Sequence, residues 1–380
     1  MVSSKLRVWD LPTRVFHWGL VSSYVAAWLL RGDQYLHLHV LAGYLFFFLL
    51  LFRLYWGLAG SFHARFSSFI RPMPEAWEYL KKAAGGKAPR HLGHNPAGGW
   101  AVLLLVSLGL MISITGLLTL GVEEGHGPLA GILEREWAAL FHASHQALAW
   151  AMLSMVGLHL VAVFRESMLH RESLPLAMLT GYKRTDTRAR TENVQPHAAV
   201  ALALLGVMLG FSLWWGRGYL LHSGNEPYLP FSGPMLSRNA LWEEECGACH
   251  LAYHPSLLPR RSWNRLLTQQ ENHFSEDLYL DAGTISRLRA YAVTGEAGNT
   301  VTEASWKIHN SIPAAKTPVR ITETSYWKNK HKDIPEKLWT RSNIGGRHNC
   351  TACHLDARQG WFEDGAMRIP FNGKNMTRIM

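Results

Sequence analysis

All four cysteines of the chain fall within two short strings of one pattern. In each string, two cysteines are separated by two residues and followed by a histidine: Cys246-Gly-Ala-Cys249-His250 and Cys350-Thr-Ala-Cys353-His354. This pattern is typical of covalent haem attachment, in which the thiols bond to the porphyrin and the histidine ligates the iron. Zinc is the alternative, but it would need four thiolates, or thiolates with well-spaced histidines, from two distant strings. Because the two copies use every cysteine, the pattern favours two haems of the c type.

Four histidines lie within long apolar segments, where ionisable side chains are costly and usually functional. They are His17, His39, His145 and His159. His145 and His159 are fourteen residues apart, so both project from one helix face, separated by about 21 Å. Their positions along the segments pair His39 with His145 near one membrane surface, and His17 with His159 near the other. The pattern predicts two non-covalent haems of the b type, each held between two histidines.

These histidines also have a less specific interpretation. A histidine within a membrane is often a hydrogen-bonding partner for a neighbouring helix, although the matched depths of the four favour ligation. His37 and His142 are the nearest competitors, and we interpret both as interfacial. The histidines in loops or at helix ends are predicted to be solvated: His63, His91, His94, His126, His170, His197 and His222.

Five apolar stretches are long enough to cross a bilayer, which takes about 20 residues of helix. They cover approximately residues 13–30, 38–59, 100–120, 137–164 and 198–215. The first has no small-residue cleavage site, so we interpret it as a retained helix and not as a signal peptide. The chain beyond residue 216 is polar and rich in Pro, Gly and charge. The sequence therefore predicts a membrane half followed by a water-exposed half.

The basic residues of the first half predict its orientation. Sixteen of the eighteen Lys and Arg in residues 1–216 lie on the N-terminal side of the membrane, and the opposite loops hold Arg31 and Arg135. This bias places the N-terminus in the cytoplasm. Five crossings then place the polar half in the periplasm, where bacteria attach haem covalently. The predicted location is the bacterial inner membrane, with lipid as a neighbour.

The net charge of +10 does not require a nucleic-acid partner. The cytoplasmic loops account for the surplus of the first half, and haem propionates would reduce the rest. Arg14, one turn before His17, and Arg53 can either pair with propionates or anchor their helices at the cytoplasmic surface. The remaining surplus fits a mild basic face for an acidic redox protein or a solvated surface.

Several strings in residues 5–185 occur together in a known family. They are WDLPTRVFHW at 9–18, HVLAGY at 39–44, GHNPAGGW at 93–100, and HQAL at 145–148 followed by His159. These strings resemble the bacterial cytochrome b561 group, which includes the cytochrome b subunits of Ni/Fe hydrogenases. The resemblance implies a four-helix bundle that holds two b haems and exchanges electrons with the quinone pool. Gln146 stands where many members have Glu, which leaves the ligand set intact.

Residues 228–371 are similar to the di-haem cytochrome c family. Besides the two attachment strings, the similarity lies in LLP at 257–259, Trp263, NHF at 272–274, PVRIT at 318–322 and HKDIP at 331–335. The resemblance implies that His273 and His331 are the second axial ligands, so that both irons are closed. By spacing alone, His254, His309 and His348 are also eligible, although His254 is too near His250 to reach the opposite haem face well. Nearness in the chain favours His273 with His250 and His331 with His354, and the assignment stays open.

The predicted fold is an all-α membrane protein: a four-helix di-haem b bundle, a fifth transmembrane helix and a mostly helical periplasmic di-haem c domain. The expected domains are residues 1–190, 191–227 and 228–380. The favoured function is electron transfer, in either direction, between the quinone pool and a periplasmic redox protein or enzyme subunit. One alternative is a haem enzyme acting on a small substrate such as superoxide or an oxyanion, which needs an open iron. The other is a haem-based sensor, although no kinase, cyclase or DNA-binding segment accompanies the motifs.

Overall fold

The chain forms two compact units. The computed structural model describes residues 4–32, 35–185, 194–221, 231, 233–371 and 374–376. The first unit, which we call the membrane unit, runs to Gly116 and resumes over Phe141–Leu221. The second, the C-terminal unit, consists of Leu117–Leu140 together with the chain after Leu221. Residues 222–230 and 232, His222 included, lie outside the described residues.

Long helices dominate the first 221 residues. They and their shorter neighbours are α1 (Leu11–Leu29), α2 (Leu36–Ala59), α3 (Phe66–Phe69), α4 (Met73–Ala84), α5 (Pro96–Val122), α6 (Ala138–Leu169), α7 (Leu174–Thr180) and α8 (Ala198–Leu221). Strands β1 (Ser4–Arg7) and β2 (Tyr182–Thr185) pair antiparallel. α1 packs against α2 and α8. A buried apolar cluster joins α2, α5 and α6 through Phe46, Leu50, Val106, Ile112 and Met152.

The helices α1 and α5 of the membrane unit both begin at side-chain caps. Asp10 is fully buried and accepts a hydrogen bond from the backbone N–H of Thr13 at 3.0 Å, at the start of α1. Asn95 accepts one from the N–H of Gly98 at 2.7 Å, and Pro96 opens α5. Such caps satisfy N–H groups that have no partner inside the helix, and proline suits the first turn because it lacks an N–H. The cap at Asp10 therefore sets where the helix that carries His17 begins.

Four helices in the described part of the chain are long and apolar enough to cross a membrane. They are Leu36–Ala59, Pro96–Val122, Arg135–Leu169 and Ala198–Arg217. α1 forms as predicted, but with Arg14, His17 and several hydroxyl side chains in 19 residues it does not reach the apolarity of those four. The chain is therefore a multi-pass membrane protein, and a crossing by α1, which the five-span topology requires, stays a prediction.

The C-terminal unit is built from short helices around a small core. They are α9 (Ala240–Gly247), α10 (Arg260–Thr268), α11 (Ala282–Thr294), α12 (Glu303–Ser311), α13 (Ser325–Lys330) and α14 (Glu336–Trp339), followed by the paired strands β3 (Ile369–Phe371) and β4 (Lys374–Met376). Side chains of Asn239, Asp281, Thr302 and Thr324 cap four of the helices. The largest core cluster consists of Trp242, Leu258, Trp263, Leu267, Leu288 and Ala292.

The loop between α5 and α6 belongs to the C-terminal unit. His126 is 5% exposed, and its Nε2 lies 3.1 Å from the Glu363 carboxylate. Arg135 is also buried; it donates hydrogen bonds to the carbonyl oxygen of Val301 at 2.8 Å and to that of Glu123. The prediction that His126 is solvated was therefore wrong. Its partner lies 237 residues later in the chain, so the local sequence does not reveal the contact.

Candidate haem-binding sites

The first attachment motif begins at the end of α9. Asn239 accepts a hydrogen bond from the N–H of Trp242 at 3.0 Å, and buried Trp242 fixes the helix in the core. All four cysteines are free thiols; Cys246 is partly accessible and Cys249 is exposed. The end of α9 and the turn after it therefore present two thiols, followed by His250, at the edge of the core.

His250 lies opposite His273. The two ring centroids are 6.2 Å apart and the ring planes differ by 24°. The Nδ1 of His250 hydrogen-bonds to the carbonyl oxygen of Leu251 at 2.7 Å, which leaves Nε2 as the nitrogen able to ligate a metal. A backbone bridge holds His273 in place, since its N–H donates to the carbonyl oxygen of Glu276 at 2.7 Å. The buried Nδ1 of His273 has no hydrogen-bond partner among the described groups.

His331 and His354 form a second pair. Their ring centroids are also 6.2 Å apart, with the planes at 67°. The Nδ1 of His331 hydrogen-bonds to the carbonyl oxygen of Trp327 at 2.8 Å, and the two rings stack at 4.3 Å. Burial, and then the neighbouring His331, lower the pKa of His354 to about 4. The imidazole is therefore neutral at physiological pH, which is the form that binds a metal.

The three other histidines that spacing made eligible have different surroundings. The Nδ1 of His254 lies 2.8 Å from the Ser256 hydroxyl and accepts a backbone N–H of the same turn. Burial lowers the pKa of His254 to about 4. His309 and His348 pack against glycines of neighbouring turns. The structure thus brings together His250 with His273 and His331 with His354.

His39 and His145 form a pair in the membrane unit. Their ring centroids are 6.1 Å apart and the ring planes are nearly perpendicular, at 81°. The Nδ1 of His39 hydrogen-bonds to the carbonyl oxygen of Ala27 on α1 at 2.8 Å, and that of His145 to Ile112 on α5 at 3.0 Å. Each ring is oriented by a helix other than its own, and each keeps Nε2 for a ligand.

Two glycines leave space beside this pair. A Cβ added at Gly116 would lie 3.0 Å from the ring of His145, so a larger residue there would displace the histidine. Gly43 lies one turn after His39, and no heavy atom comes within 4 Å of the position its Cβ would take. A flat group beside the ring is therefore accommodated.

His17 and His159 lie close enough to interact electrostatically. The Nδ1 of His17 is buried and has no hydrogen-bond partner in the part of the chain that the structure describes. Its ring contacts Phe16 and Trp18, at centroid distances of 6.5 and 5.3 Å. The structure therefore places His159 within electrostatic range of His17.

The two arginines considered as propionate partners differ. Arg53 is 4% exposed, lies over the Phe66 ring at 4.6 Å and donates to the carbonyl oxygen of Ala64 at 3.0 Å, so it serves as an anchor. Arg14 donates through Nη1 to the carbonyl oxygen of Leu179 at 2.5 Å. Its buried Nε has no acceptor among the described groups, so one donor of Arg14 stays available.

The two regions match two family models. Residues 8–181 match Prokaryotic cytochrome b561, and residues 242–362 match Dihaem cytochrome c. The chain is a fusion of these two cytochrome families. We refer to the matched ranges as the b561 region and the dihaem region.

Known proteins resemble each region separately. The b561 region is similar to the probable Ni/Fe-hydrogenase B-type cytochrome subunit of Azotobacter chroococcum mcd 1. The two are 27% identical over an alignment of 214 residues, which covers 46% of this chain and 87% of that protein. The counterpart in Rhizobium leguminosarum bv. viciae is 25% identical over 210 residues, again 46% of this chain and 87% of the relative. The solved diheme cytochrome c from Rhodobacter sphaeroides is 32% identical, covering 34% of this chain and all of that one, with a TM-score of 0.30.

The two families imply b-type and c-type haem and a role in electron transfer, and the residues present fit those groups. Two imidazoles on opposite sides of one metal ion, with bonds of about 2 Å, have ring centroids about 6 Å apart. The ring centroids of His39 and His145 are 6.1 Å apart, and those of the two pairs in the C-terminal unit are 6.2 Å apart, so all three pairs meet this requirement. An imidazole whose Nδ1 bonds to a carbonyl oxygen is the tautomer that ligates through Nε2.

Sequence reasoning missed a polar cluster in the b561 region. Tyr79 donates to Oε1 of Glu166 at 2.5 Å, and Asn95 donates to the same oxygen at 3.1 Å. The Nε2 of His170 lies 3.2 Å from that oxygen, so the prediction that His170 is solvated was wrong. The spacing of Glu166 and His170, one helical turn apart on α6, was the signal that could have revealed it.

His94 was also predicted to be solvated, and this was wrong. Its Nδ1 is buried, and its ring lies 4.9 Å from the Trp9 ring and 4.4 Å from that of Phe69. Burial, followed by the charge of Arg53, lowers the pKa of His94 to about 3. The partners come from separate parts of the chain, which the local polarity of the GHNPAGGW string could not reveal.

Proposed function

We propose that this chain carries electrons between the membrane quinone pool and a periplasmic redox protein or enzyme subunit, through two b haems and two c haems. The observation that carries the proposal is the set of histidine pairs with one common spacing, two of them beside C-x-x-C-H motifs. When bound, each haem supplies an iron that takes up and releases one electron. The protein supplies the path that the electrons follow between the haems.

The role of the histidines in this proposal is to close the irons. His39, His145, His250 and His331 each bond a carbonyl oxygen through Nδ1 and offer Nε2. If both imidazoles of a pair held one iron, the pair would leave no place there for a substrate, which supports electron transfer over catalysis on a small molecule. Cys246 and Cys249, and Cys350 and Cys353, would hold the c haems covalently.

The proposed location is the bacterial inner membrane, with the N-terminus in the cytoplasm and the dihaem region in the periplasm. The excess of Lys and Arg in the loops on one side supports this orientation. It requires α1 to cross the membrane as a fifth span. The relatives of the b561 region are named as hydrogenase subunits, which makes an oxidoreductase subunit one kind of partner for this chain.

The test uses the purified full chain. A pyridine haemochrome assay should give equal amounts of b and c haem. Decyl-ubiquinol should then reduce both kinds of haem, which the separate α bands of b and c haems report. A ratio far from one, or b haem reduced with the c haem left oxidised, would contradict the proposal. A C-terminal alkaline phosphatase fusion, expected to be active, tests the topology separately.

A further inference from the structure

An open cavity of about 660 Å³ lies along α1, α2, α7 and α8 of the membrane unit. The lining residues of α1 and of its C-terminal cap are Leu11, Arg14, Val15, Trp18, Gly19, Ser22, Ser23, Ala26 and Leu30. Leu38, Leu41, Ala42 and Leu45 of α2 line a second side, and Leu179, Leu205 and Met208 complete the wall. The α1 side from Arg14 to Ala26 is about 18 Å long at 1.5 Å per residue. The cavity is therefore elongated along the helices.

The walls of the cavity are apolar except at a few positions. Leu, Ala and Met side chains form most of it, and the polar groups are Arg14, Ser22 and Ser23. The Ser23 hydroxyl donates to the carbonyl oxygen of Leu20 at 3.1 Å. The buried Nε–H of Arg14, at the opposite end from Leu30, has no acceptor in the described structure. A long apolar wall with one fixed donor near its end suits a ligand with an apolar tail and a carbonyl head.

The cavity adjoins a predicted haem ligand. Trp18 lines it, and the Trp18 ring lies edge-on to the His17 ring at 5.3 Å between centroids. His17 is about 160° from the middle of the lining face of α1, at 100° per residue, so it serves a different site across the same helix. A ligand against Trp18 would be separated from the His17 imidazole by one aromatic ring.

α8, which lies outside the b561 match, forms one wall of the cavity. The b561 match ends at residue 181, and α8 starts at Ala198. Gly19 permits the close approach, because a Cβ there would lie 2.8 Å from Cε of Met208. Leu204 of α8 packs with Phe16 and Leu49 in a buried cluster beside the cavity. Without α8, the groove between α1 and α2 would lose one wall.

We propose that this cavity binds an isoprenoid quinone, with the quinone head at Arg14 and Trp18 and the tail along α1 towards Leu30. The assignment rests on the proposed function, and it names where the quinone binds. The head is placed by the unused donor of Arg14, which suits a carbonyl oxygen, and by the ring of Trp18, which offers a flat contact next to His17.

The test measures binding of tritiated decyl-ubiquinone to the purified full chain. Ala26→Trp fills the cavity from α1 and should weaken binding about tenfold or more, while Arg14→Gln, which removes the donor, should weaken it about tenfold. Val25→Trp is the matched control, since Val25 is the preceding residue, is 46% exposed and is not part of the lining. The control should bind as the parent does. Equal b haem content in all variants shows that the bundle has folded.

Two outcomes would overturn the site. One is equal quinone affinity in the Ala26→Trp and Val25→Trp proteins, confirmed by unchanged affinity in Arg14→Gln. The other is recovery of phospholipid, with no quinone, from the parent protein and its loss from Ala26→Trp. If the parent binds quinone here but decyl-ubiquinol reduces none of its haems, the site stands and the proposed function fails. If quinol reduces the parent and Ala26→Trp equally well, only the site fails.

Discussion

The histidine pairs of the dihaem region and of the b561 region differ in how far apart their members lie in the chain. His250 and His273 are twenty-three residues apart, and so are His331 and His354. His39 and His145 are more than a hundred residues apart, and the carbonyl groups that orient them lie on two further helices. One kind of site closes within a short stretch of chain, and the other needs four helices in place.

This difference gives a physical reason for the two kinds of haem attachment that the two families imply. Closing a short loop costs less entropy than closing a long one, so a small domain can assemble a ligand pair locally. The dihaem region has a small apolar core, and covalent bonds from cysteines would keep the haem where packing alone is limited. In the b561 region, the apolar cluster across α2, α5 and α6 provides the framework. We therefore expect a substitution at one haem site of the dihaem region to affect the haem at that site and to leave the other haems in place.

Removal of the cysteines should have the largest effect. Replacing Cys350 and Cys353 with Ser should eliminate one c haem and halve the covalent haem per chain, because each motif serves one site. The same change at Cys246 and Cys249 is the matched variant and should remove the other half. Haem staining after denaturing electrophoresis measures the loss, and extraction with acidified acetone measures b haem, which should be unchanged. Full covalent haem in either variant would refute the c-haem assignment.

His145→Ala should remove one b haem and spare both c haems. The pair His39–His145 shares no ligand with the other sites, and its loss leaves a cavity in the bundle without breaking a covalent bond. The pyridine haemochrome ratio of b to c haem should fall by about half. His142→Ala, three residues earlier on α6, is the control and should keep the ratio. Loss of all b haem would show that the bundle depends on this site, which would sharpen the contrast with the dihaem region.

The long apolar runs predicted the main helices well. The stretch 38–59 corresponds to α2 at Leu36–Ala59, and the stretch 198–215 to α8 at Ala198–Leu221. Twenty apolar residues leave a helix few alternatives, so the signal is local and strong. The pairing of β1 with β2 had no such signal, because Ser4 lies opposite Thr185 and the strands are four residues long. The amphipathic α4 was missed for a similar reason, being short and half polar.

Prediction of the candidate sites was limited in the same way, to features that are local in the sequence. The C-x-x-C-H strings predicted the attachment residues from local spacing, and matched depths predicted the pairing of His39 with His145, which the structure brings together. The surroundings of His126 and His94 could not be predicted, because burial depends on which distant segments pack around a residue. Glu363 is 237 residues from His126. Nothing in the local sequence of either residue predicts that contact.

His273→Ala should open one c-haem iron without releasing the haem. The thioether bonds would keep the haem in place, and removing the distal imidazole would leave one axial position vacant. Carbon monoxide should then bind about half of the reduced c haem, whereas the parent should bind none. His309→Ala is the control, since that ring belongs to neither pair. Rapid binding of carbon monoxide by the parent would instead favour the alternative of a haem enzyme.

The smallest expected effect concerns the pH dependence of stability in the C-terminal unit. Burial, and then the charges of Glu303 and Glu363, raise the pKa of Glu124 to about 8. An unfolded glutamate has a pKa of about 4.3, so between about pH 5 and 8 the folded chain keeps a proton that the unfolded chain has lost. The free energy of unfolding therefore falls as pH rises through this range. Glu124→Gln resembles the protonated form and removes this dependence.

We expect the Glu124→Gln protein to equal the parent in stability at pH 5 and to exceed it by about 1–3 kcal/mol at pH 9, after allowance for partial exposure. Denaturant unfolding of the full chain in detergent, followed by circular dichroism, measures the difference. Glu271→Gln, at an exposed position of the same unit, controls for the loss of one charge and should track the parent. A parallel decline in the Glu124→Gln protein would show that another carboxylate carries this pH dependence, and Glu363 would then be the first to replace.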